Sequence, residues 1–141
     1  MIKKVTPVQV KLKTTMEQDG QQDEYSFEEE GQFVQLGEKY YLRYKEHQDG
    51  QETPVQIRLS DDLINLRRSG LRETNFDFTV ERPTKSRYQT EYGIIGMEVT
   101  TDKLEIEFDP EEANGKLEVQ YRLTANKQLI GTYQLQLQFS A

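Results

Sequence analysis

LEVQYRLTANKQLIGTYQLQLQF, residues 117–139, decides how the whole chain is read. Leu117, Val119, Tyr121 and Leu123 alternate with Glu118, Gln120 and Arg122. The chain reverses at Ala125 to Gln128. Then Tyr133, Leu135, Leu137 and Phe139 alternate with Gln134, Gln136 and Gln138. Successive side chains of a strand point to opposite faces, so the pattern describes two half-buried strands joined by a turn. A helix would repeat its apolar residues every three or four positions, and no stretch of the chain does so over a helical length.

The same alternation continues toward the N-terminus. Val8, Val10, Leu12 and Met16 share a phase, and Asp19-Gly20 is a favoured hairpin dipeptide. Pro7 suits a strand start or an edge. Tyr25 and Phe27 form the next phase, which Gly31 is expected to interrupt with a bulge or bend before Phe33. Tyr40, Leu42 and Tyr44 follow, then Asp49-Gly50, then Val55, Ile57 and Leu59. Ser60-Asp61-Asp62 connects to Ile64 and Leu66, a run too short before Gly70 for a normal helix. Phe76, Phe78 and Val80 end at Pro83. Tyr88, Thr90 and Tyr92 share a face, and Gly93 and Gly96 suggest a sharp bend. Thr101-Asp102-Lys103 reads as a turn, and Leu104, Ile106 and Phe108 as a short strand ended by Asp109-Pro110.

About ten strands at even spacing predict an all-β fold. Short turns between consecutive antiparallel strands favour a single up-and-down β-barrel domain over residues 1–141, with a two-sheet sandwich as the alternative. No composition break marks a second domain. The hydrophobic fraction is only 34%, but alternation lets a modest number of apolar residues line one face, and eight Tyr with six Phe argue against disorder.

The net charge of −7 and the scattered basic residues argue against a nucleic-acid partner. There is no cysteine, which removes disulfides and zinc–thiolate sites and fits a reducing compartment. No apolar run approaches membrane-span length and the N-terminus does not read as a signal peptide, so the expectation is a soluble, cytoplasmic protein with no membrane partner. One histidine, His47, cannot form a metal cluster, and no serine sits in a nucleophile elbow. No phosphate-binding loop is present. The chain therefore reads as a non-enzyme with no cofactor.

One cation stands out. Arg68 continues the phase of Ile64 and Leu66, which turns its guanidinium toward the interior. A buried unpaired cation is expensive, so it must meet an acid or a ligand anion. Glu46 and Glu29 each continue an inward phase and are the candidate internal partners. The sharper reading joins Arg68 with the hydroxyls of Tyr88, Thr90 and Tyr92 as a site for the anionic head of a small amphipathic or hydrophobic ligand. Tyrosines on strands are also ordinary packing residues, and small barrels are often filled by side chains.

Ile64-x-Leu66-x-Arg68-x-Gly70, Phe76-x-Phe78, Tyr88-x-Thr90-x-Tyr92-Gly93, Thr100, Gly115-x-Leu117 and Tyr121-x-Leu123 together resemble the YwiB-like family. These are small uncharacterised bacterial β-barrel proteins, mainly of Gram-positive lineages. The resemblance covers nearly the whole chain and implies a lipocalin-like, calycin-type barrel. It implies no activity, ligand or catalytic residue. The wider calycin group commonly binds small hydrophobic molecules, a fold-level analogy. The chain has no Trp and so lacks the Gly-x-Trp start of secreted lipocalins. Two functions follow as expectations: ligand binding inside the barrel, or a structural or regulatory module with a filled barrel that works through its outer surface or by self-association.

Overall fold

The computed structural model describes residues 3–48, 50–69, 73–90 and 92–141, and side chains except those of residues 88–90. Ten strands run in sequence: β1 (Lys3–Gln18), β2 (Gln21–Leu36), β3 (Lys39–Gln48), β4 (Gln51–Leu59), β5 (Ile64–Arg68), β6 (Thr74–Phe78), β7 (Thr84–Thr90), β8 (Gly93–Asp109), β9 (Asn114–Ala125) and β10 (Gln128–Ser140). There is no helix among the described residues.

All ten strands form one antiparallel sheet in the order β6-β5-β4-β3-β2-β1-β10-β9-β8-β7. Each strand lies beside its sequence neighbour, and the first strand pairs with the last, from Gln9↔Ser140 to Glu17↔Thr132. That is the up-and-down barrel the alternation predicts. The barrel is nearly closed. Between β6 and β7 no ladder forms among the described residues, and two hydroxyls bridge the seam instead. Thr84 Oγ1 donates to the Asp77 carbonyl and Ser86 Oγ to the Asn75 carbonyl, each at 2.6 Å. Each satisfies a carbonyl that the missing ladder leaves open.

The inward phases converge on one apolar cluster, drawn from nine strands and the β8–β9 connection, that includes Val10, Leu42, Ile57, Leu66, Phe78, Val99, Val119 and Leu137. Each such side chain, fully buried, contributes about 1.5–3 kcal/mol. Two aromatic groups sit within it. At the end of the barrel that carries the β2–β3 and β8–β9 connections, Phe33 lies 5.3 Å from Phe139 and 6.0 Å from Tyr40, and Phe108 meets Tyr40 at 5.3 Å. Toward the other end, Tyr121 lies 4.6 Å from Phe78 and stacks on Tyr133 at 5.0 Å.

Several local readings are corrected. Gly31 does not interrupt β2, whose register against β1 is continuous. It sits where β3 comes closest: an added Cβ would lie 2.7 Å from the Arg43 carbonyl oxygen and 3.0 Å from the Tyr44 Cβ. Thr101-Asp102-Lys103 is no turn. β8 runs through it with a bulge at Asp102, whose carboxylate takes both Arg122 guanidinium contacts at 2.9 Å. The bulge absorbs one residue and restores the inward phase at Leu104. Gly93 follows the β7–β8 turn, with Thr90 opposite it, so it marks a hairpin end and not a mid-strand corner. Val80 lies beyond β6 and is exposed. Pro7 lies inside β1, not at its start. Its position falls past the last β10 partner, so its missing N–H costs no ladder bond.

Candidate functional site

The charged chemistry of the interior gathers where β3, β4 and β5 run side by side. The ladder sets Tyr44 opposite Val55 and Val55 opposite Arg68, so Tyr44 and Arg68 share the inner face two strands apart. Glu46 is two residues along β3 on that same face. Arg68 Nε donates to Glu46 Oε1 at 3.1 Å, and Arg68 Nη2 to Oε2 at 3.4 Å. The Tyr44 hydroxyl donates to Glu46 Oε2 at 3.0 Å. The Glu46 side chain is 7% exposed and that of Arg68 25%. Both carboxylate oxygens and two guanidinium nitrogens are thus used within the barrel wall.

The electrostatics follow from that packing. Burial alone would pull the Arg68 pKa down, but the charge and hydrogen bond of Glu46 more than offset it, and the group is held above the ordinary arginine value. Burial, reinforced by the Glu46 charge, raises the Tyr44 hydroxyl well above the usual tyrosine range. Burial likewise raises Tyr121, which feels the Arg68 charge in the opposite sense. The same packing that holds the Arg68 proton also holds those of the Tyr44 and Tyr121 hydroxyls.

The four predicted site residues part company. Arg68 is inward and paired with Glu46. Glu29, the other candidate partner, is instead 3.2 Å from exposed His47. Tyr92 is 95% exposed at the β7–β8 connection, outside the barrel wall. The turn there breaks the strand phase that sequence alternation assigned it. Tyr88 and Thr90 pair through their backbones with Ile95 and Gly93, and their side chains lie outside the described residues. Sequence reading missed Tyr44, Tyr121 and Tyr133 as members of the polar group. The signal for Tyr44 was its phase with Glu46. For the stacked pair it was hidden, because a bulge between Leu129 and Gly131 is what brings Tyr133 opposite Tyr121. The same bulge turns Leu129 outward.

The larger described concavities lie against the outer faces of the sheet. One of ≈ 1090 Å³ is bordered by Lys11, Lys13, Glu28, Glu105, Lys116 and Glu118. Another, ≈ 1250 Å³, runs across β1 to β5 beside Glu30, Arg43 and Lys45, and reaches the C-terminal Ser140 and Ala141. Arg68 borders none of those described. Within the wall, the buried Thr14 and Thr101 hydroxyls have no hydrogen-bond partner among the described residues.

Fold and interior define a small antiparallel β-barrel with an apolar core and an internal ion pair. Residues 10–137 match the family model described as Domain of unknown function (DUF1934), and the chain belongs to that family. It is 25% identical over 120 residues to the uncharacterized beta-barrel protein YwiB of Bacillus subtilis (strain 168), a match covering 85% of this chain and 83% of that protein. It also superposes on the crystal structure of the ywiB protein from Bacillus subtilis with a TM-score of 0.83 at 20% identity, over 97% of this chain and 92% of that one. The two proteins share the barrel fold.

Proposed function

We propose that this chain is a non-catalytic interaction module whose barrel is a packed scaffold and whose contacts are made from outside. One observation carries the reading: Glu46 engages the guanidinium that a ligand anion would need through both carboxylate oxygens, and the Tyr44 hydroxyl also donates to Oε2. Displacing Glu46 would leave a buried carboxylate without its cation, at a cost of several kcal/mol that a small ligand would have to supply. The outer faces support the same reading, since they carry the larger described concavities and alternating Lys, Glu and Gln side chains.

The competing reading is a small amphipathic or hydrophobic ligand with an anionic head held at Arg68. Native mass spectrometry of the protein purified from its own cells separates the two. The expected result is the bare chain mass, alone or in complex with a polypeptide. A retained small molecule that disappears in Arg68→Met protein would replace the proposal with the ligand reading.

A further inference from the structure

β2 is flanked unequally. β1 accompanies it from Gln21 to Leu36, whereas β3 pairs with it only from Gly31 to Leu36. Among the described residues, nothing pairs with the far side of residues 21–30. The turns tell which backbone groups that leaves open. Asp19 and Gly20, with φ of 52° and 77°, make a two-residue hairpin connection, so Gln18 and Gln21 form its hydrogen-bonded closing pair. Such pairs recur at every second residue of an antiparallel ladder. Odd residues of β2 therefore bond to β1, and even residues turn outward. The Gly37-Glu38 connection sets the same parity independently, with Leu36 opposite Lys39. Gln22, Glu24, Ser26, Glu28 and Glu30 thus present their N–H and C=O groups along an open edge.

Edges of this length are usually blunted by proline, a bulge, or charges, lysine above all and inward-pointing ones included; here the charges, inward-phase Glu29 among them, oppose an acidic strand and leave a basic one as the complement. This one has no proline and no register shift. Its charge is acidic: Asp23, Glu24, Glu28, Glu29 and Glu30. Lys13 lies 3.6 Å from Glu24 and Lys11 3.9 Å from Glu28, but both pairs are solvent-exposed and screened. The inner face of the same segment offers exposed Tyr25 and half-buried Phe27. A second copy fits poorly. Antiparallel self-pairing centred on Ser26 would set Glu24 against Glu28 of the other chain, and like charges directly opposite are destabilising.

We infer that the β2 edge over Gln21–Glu30 is a strand-addition site for an extended basic segment of a partner polypeptide, with Lys or Arg alternating with apolar residues. The backbone edge supplies the hydrogen bonds. Glu24 and Glu28 face the basic side chains, and Tyr25 and Phe27 the apolar ones. Arg43 stands opposite Gln32, where β2 and β3 still pair, and puts a cation at the root of the open edge, so the basic residues belong beside Gln22 to Glu28 and not at the root. This inference rests on the outside-surface reading above and names the surface.

The test uses the full chain and a labelled nine-residue peptide of alternating lysine and valine, with a glutamate–valine peptide and an N-methylated lysine–valine peptide as controls. Saturable binding of the first peptide alone is expected. It should slow amide hydrogen exchange at Gln22, Glu24, Ser26, Glu28 and Glu30, whose odd neighbours are already bonded to β1. Glu24→Lys with Glu28→Lys should weaken binding about tenfold, the size expected for reversing two cross-strand pairs. Ser26→Pro, which removes one open-edge donor, should weaken it comparably, with circular dichroism checking that the barrel is retained. Equal binding of the N-methylated peptide, or slowed exchange elsewhere, would overturn the inference. So would a dimer whose protection falls on the even β2 residues. A small molecule retained inside the barrel would sink the outside-surface reading while leaving peptide binding at this edge to be judged on its own exchange pattern.

Discussion

The two ends of the barrel interior carry different kinds of side chain. One is plugged by aromatic rings: Phe33, Tyr40, Phe108 and Phe139. The other holds Arg68, Glu46 and Tyr44, with the Tyr121–Tyr133 stack nearby. The first gains its stability from burial and close packing. The second gains little net energy, because each charge surrenders its hydration to meet the other. What the ion pair supplies is intolerance of being broken. The contrast teaches that an inward-facing arginine on a barrel strand can meet an internal carboxylate, and that the register of its neighbours decides which.

The comparison can be broken first at the aromatic end. Phe33→Ala removes a ring that is fully buried and touches three others, and should cost about 4 kcal/mol in urea unfolding. Next comes the charged end: Glu46→Ala should cost about 3 kcal/mol, moderated by the partial exposure of Arg68. The double variant Glu46→Leu with Arg68→Met should recover most of that loss; if it is as unstable as the single variant, the ion pair is not what the single change broke. Gly115→Ala probes the aromatic plug from its backbone, since the new methyl would lie 2.6 Å from the Phe108 Cβ and 2.8 Å from the Phe139 ring. An expected loss of about 2 kcal/mol, seen as a lowered denaturation midpoint, would show that the plug cannot relax.

Alkaline pH should distinguish the ends without mutation. The Tyr44 and Tyr121 hydroxyls are held above the ordinary tyrosine value, mainly by burial. The unfolded chain therefore releases those protons first, once pH passes about 10. Their contribution is fully present below that value and is lost as pH rises toward the folded values, by up to about 1.4 kcal/mol per pH unit for each group. Urea midpoints measured from about pH 8 to about pH 11 should fall, and Tyr121→Phe should flatten the fall. An unchanged slope in that variant would mean the phenol is reached by solvent. The smallest effect is expected on the outer wall, where Lys13→Ala should shift stability by under about 0.5 kcal/mol, because its pair with Glu24 is exposed.

Much of this molecule can be read from spacing alone. The phases of Leu117 to Leu123 and Leu135 to Phe139 dictate two strands whatever surrounds them, since side-chain direction alternates with a fixed period. Glu46 was legible as inward-facing for the same reason. The phase of Arg68 also put its guanidinium indoors. Spacing could not choose between Glu46 and Glu29, because both follow inward phases and only the register across β3, β4 and β5 brings one within 3.1 Å.

The sequence by itself determined the all-β class, most of the strands and hairpin turns, and the inward faces of β1, β3, β4, β5, β9 and β10, because these follow from backbone geometry acting over a few residues. The tertiary structure alone decided three things. Bulges at Asp102 and between Leu129 and Gly131 reset the phase of β8 and β10, and a one-residue shift reverses every side chain beyond it. The turn after β7 put Tyr92 outside. The parting of β2 from β3 after Gly31 left an edge open, which depends on how far each neighbouring hairpin extends and is invisible to any single strand.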